Sequence, residues 1–255
     1  MRQRGLYRFA WGTVLAVLLG ATACGDGSSS ADADAGTDPV QDDAGQQPDG
    51  STPQAPDAGL KPEDPYADEV VLFEPGDSAG FGQDRFPDIV LGPPSGLGPD
   101  NGSLDVLALG RGGKIVLRFT DIAVVDGPGV DLLVFENAFR VAGGATTYSE
   151  RGFVSVSDDG VNWFDFPCAS TDAEGGYPGC AGVATVQANP ANGISATDPA
   201  VAGGDGFDLA TVGLSRARYV RIVDAGDNRY GGTSGGFDLD AVAVVNGVSL
   251  GSGTP

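Results

Sequence analysis

Asp224 to Asp240 read DAGDNRYGGTSGGFDLD, which sets Asp224, Asp227, Asp238 and Asp240 beside Asn228 in a glycine-rich stretch. The chemistry open to such a group is binding of a hard cation. Calcium collects about six to eight oxygens at ~2.4 Å from carboxylates, amides and backbone carbonyls. Glycines let a loop turn its carbonyls toward an ion. Glu136, in VDLLVFEN, completes the candidate calcium set, with Asp131, Asn137, Asp205 and Asp208 as further oxygen donors. No EF-hand spacing is present. Asp and Asn also suit turns, where they bond their own backbone, and both readings stand at this stage.

The chain has no histidine. That excludes Ser-His-Asp and Cys-His nucleophile systems, histidine-ligated zinc and a histidine general base. Hydrolysis of glycosides by two carboxylates survives the exclusion. No pair of acids stands out in an aromatic-rich stretch, however, and catalytic residues are not assigned. Phe81, Tyr148, Tyr177 and Tyr230 lie in glycine-rich loops, where an aromatic is more often an anchor than a ligand contact.

Three cysteines remain. Cys24 follows an Arg-containing start and an uncharged run from Phe9 to Ala23, the pattern of a signal peptide over residues 1–23. Ala21-Thr22-Ala23 suits ordinary signal peptidase. LLGATAC also resembles a lipobox, with Ala21 where leucine is commonest, and makes Cys24 the expected lipidation site. A soluble secreted form is the alternative. Cys168 and Cys180, 12 residues apart in CASTDAEGGYPGC, are then expected to form a disulfide in an exported protein.

These residues need elements to position them. Residues 24–65 hold one Val, one Leu and no aromatic before Tyr66, too little apolar surface to offset the entropy of ordering. They read as a lipidated, disordered acidic tether spanning roughly 35 Å as a flexible coil. From Tyr66 short apolar runs alternate with Gly, Pro, Asn and Asp clusters. The expected strands are Val70–Phe73, Ile89–Leu91, Leu104–Leu109, Lys114–Phe119, Leu132–Glu136, Phe153–Ser157, Asn162–Phe166, Arg218–Val223 and Ala241–Val245. In KIVLRF, period two places Ile115, Leu117 and Phe119 on one face. The best short helix is Phe207 to Gly213. Many short strands with turn signals between them predict an all-β fold, an antiparallel β-sandwich or jelly roll over residues 66–247, with a flexible tail at 248–255.

VSVSDDGVNW (Val154 to Trp163), ARYVRIV (Ala217 to Val223) and GRGGKIVLRF (Gly110 to Phe119) come in an order that resembles the discoidin-like domains of the coagulation factor 5/8 type C family, a galactose-binding-like sandwich. VLGPP (Val90 to Pro94), DGPGVDLLVFENAF (Asp126 to Phe139) and SGGFDLDAV (Ser234 to Val242) resemble bacterial cell-surface proteins that bear lipobox anchors. The resemblance implies a loop end that binds glycans, lipids or proteins, and structural calcium in many members.

Charge narrows the partners. The net charge is −21, and residues 70–255 alone hold 23 acids against 10 bases. Such a surface repels nucleic acid and anionic membrane. The expectation is an exported lipoprotein, at the outer membrane or cell surface, touching membrane only through its lipid. Its sandwich is expected to bind a glycan or another envelope component, with calcium as a possible cofactor. A carboxylate-pair glycoside hydrolase and a purely structural envelope lipoprotein are the alternatives.

Overall fold

The computed structural model describes residues 64–141, 144, 147–226 and 232–251. In chain order the strands are β1 (Glu69–Glu74), β2 (Leu107–Ala108), β3 (Lys114–Arg118), β4 (Ile122–Val125), β5 (Leu132–Glu136), β6 (Phe139–Arg140) and β7 (Thr147–Tyr148). There follow β8 (Gly152–Ser157), β9 (Phe164–Asp165), β10 (Asp205–Phe207), β11 (Arg216–Ala217), β12 (Tyr219–Asp224), β13 (Asp238–Val244) and β14 (Gly247–Ser249). All pairings between these strands are antiparallel. One sheet runs β1-β3-β12-β8-β9 and a second runs β10-β5-β13-β2, with two small sheets, β11-β4-β14 and β6-β7. The fold is the expected all-β antiparallel sandwich.

The main core follows from side-chain alternation. In β3, Ile115 and Leu117 are fully buried, as is Phe119 just beyond the strand. Their partners in β12, Val220 and Ile222, are buried between the half-buried Tyr219, Arg221 and Val223. Phe135, Leu133, Ala241 and Ala243 face the other way, into a second cluster with Val186, Ala188, Ala196 and Ala202. That cluster is mostly alanine, so the irregular segment 183–203 lies close against the sheet.

Several sequence expectations are corrected. Ile89–Leu91 is not a strand: Asp88–Val90 form a 3-10 turn between two prolines. Leu104–Leu109 shrinks to β2, and Leu104 is exposed. Phe207–Gly213 narrows to a 3-10 turn, Leu209–Val212, in which the Asp208 side chain accepts the Ala210 N–H. The domain overruns both expected boundaries. Pro65 already accepts the Val244 N–H at 2.8 Å, and β14 pairs with β4 inside the segment expected as tail. The segments expected as signal peptide and, up to residue 63, as tether lie outside the described residues.

The Asp158-Asp159-Gly160 turn joins β8 toward β9, with Gly160 at φ 74°. The Asn162 and Val161 N–H groups hold Asp159 well below the usual carboxylate range. Arg221 pairs with Asp165 at 3.0 Å and lies 4.5 Å over the Trp163 ring, while Arg216 and Arg218 pair with Asp158. These are surface pairs of small stabilising value. Trp163 serves as packing surface for an arginine on the outer face of the sheet.

Candidate functional site

The acids singled out in the sequence fall into two kinds, those held by backbone donors and those that are not. Six acidic residues are buried among the described residues: Asp131, Glu136, Glu150, Asp224, Asp238 and Asp240. None of the buried residues among the described ones is basic. A like-signed group in a low dielectric is costly unless something neutralises or hydrogen-bonds each member.

Asp224, at the end of β12, accepts N–H bonds from Gly112 and Gly226 at Oδ1 and from Phe237 at Oδ2, each at 2.8 Å. It ties three separated segments together, and its oxygens are taken up by backbone donors. Asp224, expected as a calcium ligand, acts here as a structural clamp between those segments. Asp227 lies outside the described residues, as do Cys24, Asn228 and Tyr230.

Asp131 behaves like Asp224. It accepts from the Gly127 N–H, the Leu209 N–H and the Asn246 side chain. Its oxygens lie within 4.8 Å of those of Asp126 and Asp208, but Asp131 is already bonded on both sides and Asp208 caps a helical turn. Asp205 accepts from three consecutive N–H groups, Gly182 at 2.7 Å, Val183 at 2.9 Å and Ala184 at 3.2 Å. The residue as a whole is half-buried, but its carboxylate is turned in under this segment. Burial outweighs the three donors and pushes it up to about 6.

The Cys168–Cys180 disulfide is present, with Cα atoms 4.6 Å apart, and leads straight into that segment. Closing a loop of 12 residues stabilises by about 3 kcal/mol in the chain-entropy model. Here it also anchors the chain that cradles Asp205. Gly182, at φ 82°, passes so close to Glu150 that a Cβ would meet the Glu150 carbonyl at 2.0 Å.

Glu136, Asp238 and Asp240 form the second kind. β13 is buried along its whole length, DLDAVAV, so two aspartates enter the interior with the apolar residues. Leu239 pairs with Glu136 and Ala241 with Phe135, so a bulge leaves Asp240 without a β5 partner. Such bulges re-aim side chains. Asp240 accepts the Ser95 N–H with both oxygens at 3.0 Å; burial, with Asp105 nearby, pushes it up to about 7. Asp238 is pushed up to about 6, chiefly by burial and partly offset by the Asn137 side chain. Its Oδ1 makes no hydrogen bond. Glu136 is fully buried, and neither of its oxygens makes a hydrogen bond of ordinary geometry. Burial, then Asp238 and Glu150, push it well above the usual range, and the approaching Asn137 N–H offsets this only in part.

The surface above this interior carries a cleft of about 430 Å³ that the sequence reading did not find. Arg85, Asp88, Ser95 and Asp105 line it with Ile89, Leu91 and Pro93. Arg85 bonds Asp105 and the Leu104 carbonyl. Ser95 ties cleft to interior, since its N–H reaches Asp240 and its hydroxyl donates to Asp105 at 2.9 Å. A second hollow of about 330 Å³, reaching Tyr66, Pro94 and Thr197, shares Pro93 with the first. Of the loop aromatics, Tyr148 stacks on Phe139 and Tyr177 lies under Arg151. These two are anchors. The signal that could have found the cleft is the PDIVLGPPSG string, whose prolines interrupt an apolar run.

A scan of protein-family models and a search of the curated proteins find no match to this chain. No helix among the described residues is long and apolar enough to cross a membrane.

Proposed function

We propose that this chain is an exported lipoprotein, anchored through Cys24, whose sandwich is a non-catalytic module that binds a neutral glycan of the cell envelope. The observation that carries the binding reading is the cleft at Arg85. It offers a guanidinium, two carboxylates and a serine hydroxyl beside Ile89, Leu91 and Pro93. Paired hydroxyls of a sugar ring suit planar donors and acceptors of this sort, and the ring's C–H face suits the apolar wall. The ion pair between Arg85 and Asp105 is about half exposed, so it is available to a ligand. The acidic surface disfavours polyanions, and the adjoining hollow at Pro93 gives room for a second sugar unit.

Glycan-array screening followed by calorimetry tests this. Neutral glycans are expected to bind, and Arg85→Ala or Asp105→Ala to weaken binding by about tenfold, the loss of roughly one charged hydrogen bond. Melting should be nearly unchanged in the Arg85 variant, because the pair is at the surface. Failure of every neutral glycan to bind would sink the reading. Release of reducing sugar that requires Asp88 and Asp105 would replace it with the hydrolase alternative. Mass spectrometry of envelope-purified protein should find lipid on Cys24, and a mature chain retaining Arg2 would count against the anchor.

A further inference from the structure

We propose that Asn101 is a site of spontaneous modification in the folded domain. Its side chain closes on the Gly102 nitrogen, loses ammonia and leaves aspartyl and isoaspartyl linkages in the loop that leads to the cleft wall. The sequence holds three Asn-Gly pairs: Asn101-Gly102, Asn192-Gly193 and Asn246-Gly247. Glycine after asparagine favours this ring closure, because no Cβ shields the peptide nitrogen and the backbone turns freely. Sequence alone does not choose among the three, but their surroundings differ.

Ring closure needs an amide free to swing and a peptide nitrogen free to attack. The Asn246 amide donates to the Asp131 carboxylate at 2.8 Å and to the Val130 carbonyl at 3.1 Å, and Gly247 opens β14 opposite Val124. The Asn192 amide donates to the Gln187 carbonyl at 2.8 Å and accepts the Ile194 N–H at 3.0 Å. Both must break those bonds before they can turn. Asn101 is exposed, and its side chain makes no hydrogen bond among the described residues. Residues 101–103 belong to no strand or helical turn, and the Gly102 N–H makes no backbone bond. A Cβ at position 102 would lie 3.0 Å from the Phe139 ring and 3.1 Å from Asn137 Oδ1, so packing favours glycine after Asn101.

The reaction balances with water as its only co-reactant. The Gly102 nitrogen bonds to Asn101 Cγ, the Cγ–Nδ2 bond breaks, and the proton of the peptide nitrogen leaves with Nδ2 as ammonia. Water then opens the cyclic imide. Attack at Cγ leaves an aspartyl residue; attack at the main-chain carbonyl leaves an isoaspartyl linkage, which routes the backbone through an extra carbon. Either product carries a new negative charge. The loop is pinned on both sides of the reacting pair. Arg140 donates its N–H to the Pro99 carbonyl at 2.7 Å and pairs with Asp100, while the Ser103 N–H reaches Asn137 Oδ1 at 2.6 Å. The Ser103 hydroxyl accepts the Asp105 N–H at 3.0 Å, and Asp105 pairs with Arg85 in the cleft. An extra backbone carbon between these fixed points loosens Ser103, and through it Asp105. Older molecules thus accumulate an altered cleft wall, whatever the cleft binds.

The test incubates the purified full chain in neutral buffer and follows the three sites by peptide mapping with mass spectrometry, scoring the isomer by isoaspartyl methyltransferase labelling. Position 101 is expected to convert at least about tenfold faster than 192 or 246, the factor expected from one or two net hydrogen bonds at about 1.4 kcal/mol per tenfold. In urea the three rates should converge, because unfolding releases the held amides. Aged wild-type protein should show faster amide exchange at Ser103 and Asp105 than fresh protein. Asn101→Gln alters an exposed side chain, closes far more slowly to a larger ring, and should make aged and fresh protein exchange alike. Conversion of folded protein at 192 or 246 as fast as at 101 would overturn the proposal. So would a position 101 that stays intact in the folded chain while it converts in urea. Faster exchange at Ser103 and Asp105 in aged Asn101→Gln would overturn the link to the cleft wall.

Discussion

Replacing Asp224 with alanine is expected to lower the stability of the domain by about 4 kcal/mol, because three backbone donors lose a charged acceptor at once. The residue is 3% exposed, and the Phe237 N–H it accepts is buried with it. Gly112 belongs to the turn before β3, Gly226 to the loop after β12, and Phe237 leads into β13. No single neighbour can replace an acceptor common to all three. Water can reach Gly226 once the side chain is gone, and for that reason the loss is put below the sum of three charged bonds. Asp224→Asn keeps one oxygen for Gly112 and Gly226 but turns an NH₂ toward the Phe237 N–H, so about half the loss should remain. Urea unfolding midpoints measure both variants. A loss below about 1 kcal/mol for the alanine variant would show that the clamp is dispensable.

The second large effect concerns pH. Asp205 in the folded domain is pushed up from 3.8 to about 6 by burial. Between these values the folded chain keeps a proton that the unfolded chain has released. Folding is therefore favoured at the acid end, and this contribution is lost as pH rises from about 4 through 6. The full span corresponds to about 3 kcal/mol at 1.36 kcal/mol per pH unit, and the partial exposure of the residue reduces the expectation to about 2 kcal/mol. Asp205→Asn can present its amide oxygen to the Gly182 and Val183 N–H groups and does not titrate. Stability measured in urea at half-unit steps from pH 4 to 7.5 should fall less steeply in the variant, by about that amount. Parallel profiles for the two proteins would refute it. Glu136, whose own carboxyl is raised in part by Asp205, titrates at lower pH once that charge is removed, so the measured difference is that of the coupled pair and runs in the same direction.

The parts of the fold that the sequence reveals are those where one strand carries its own signal. KIVLR and RYVRIV alternate, and they become neighbouring strands with Ile115 opposite Ile222. LLVFE is a nearly continuous apolar run and becomes a strand buried on both faces. β10, β11 and β14 are two or three residues long, and β10 and β14 each include a glycine; partners define them, and no local periodicity does. Ile89–Leu91 is misread because three apolar residues fit a strand or a tight turn equally well, and the flanking prolines decide for the turn. The site divides in the same way. A glutamate ending an otherwise apolar strand, and two aspartates in FDLDAV, are visible as anomalies. The role of Asp224 is not, because its donor at Gly112 stands 112 residues away. The bulge at Asp240 depends on register with β5, which no spacing within β13 records. The cleft is built from turns whose side chains converge only after the sheets have formed.

The alanine-lined second cluster implies that the molecule breathes unevenly. Buried alanines contribute little apolar surface, at about 0.8 kcal/mol per methyl-sized group, against about 1.5–3 kcal/mol for a buried valine, leucine or phenylalanine. The segment 183–203 rests largely on Ala188, Ala196, Ala202, Ala241 and Ala243. Its hold on the sheet therefore gives way before the layer built on Ile115, Leu117, Val220 and Ile222. Partial openings of this kind expose backbone without global unfolding. The amide protons of Gln187 and Ala188, both bonded to the Ala202 carbonyl, belong to the tier that exchanges with solvent first. Those of β3 and β12 are expected to exchange only on global unfolding, an ordering that native-state hydrogen exchange measures.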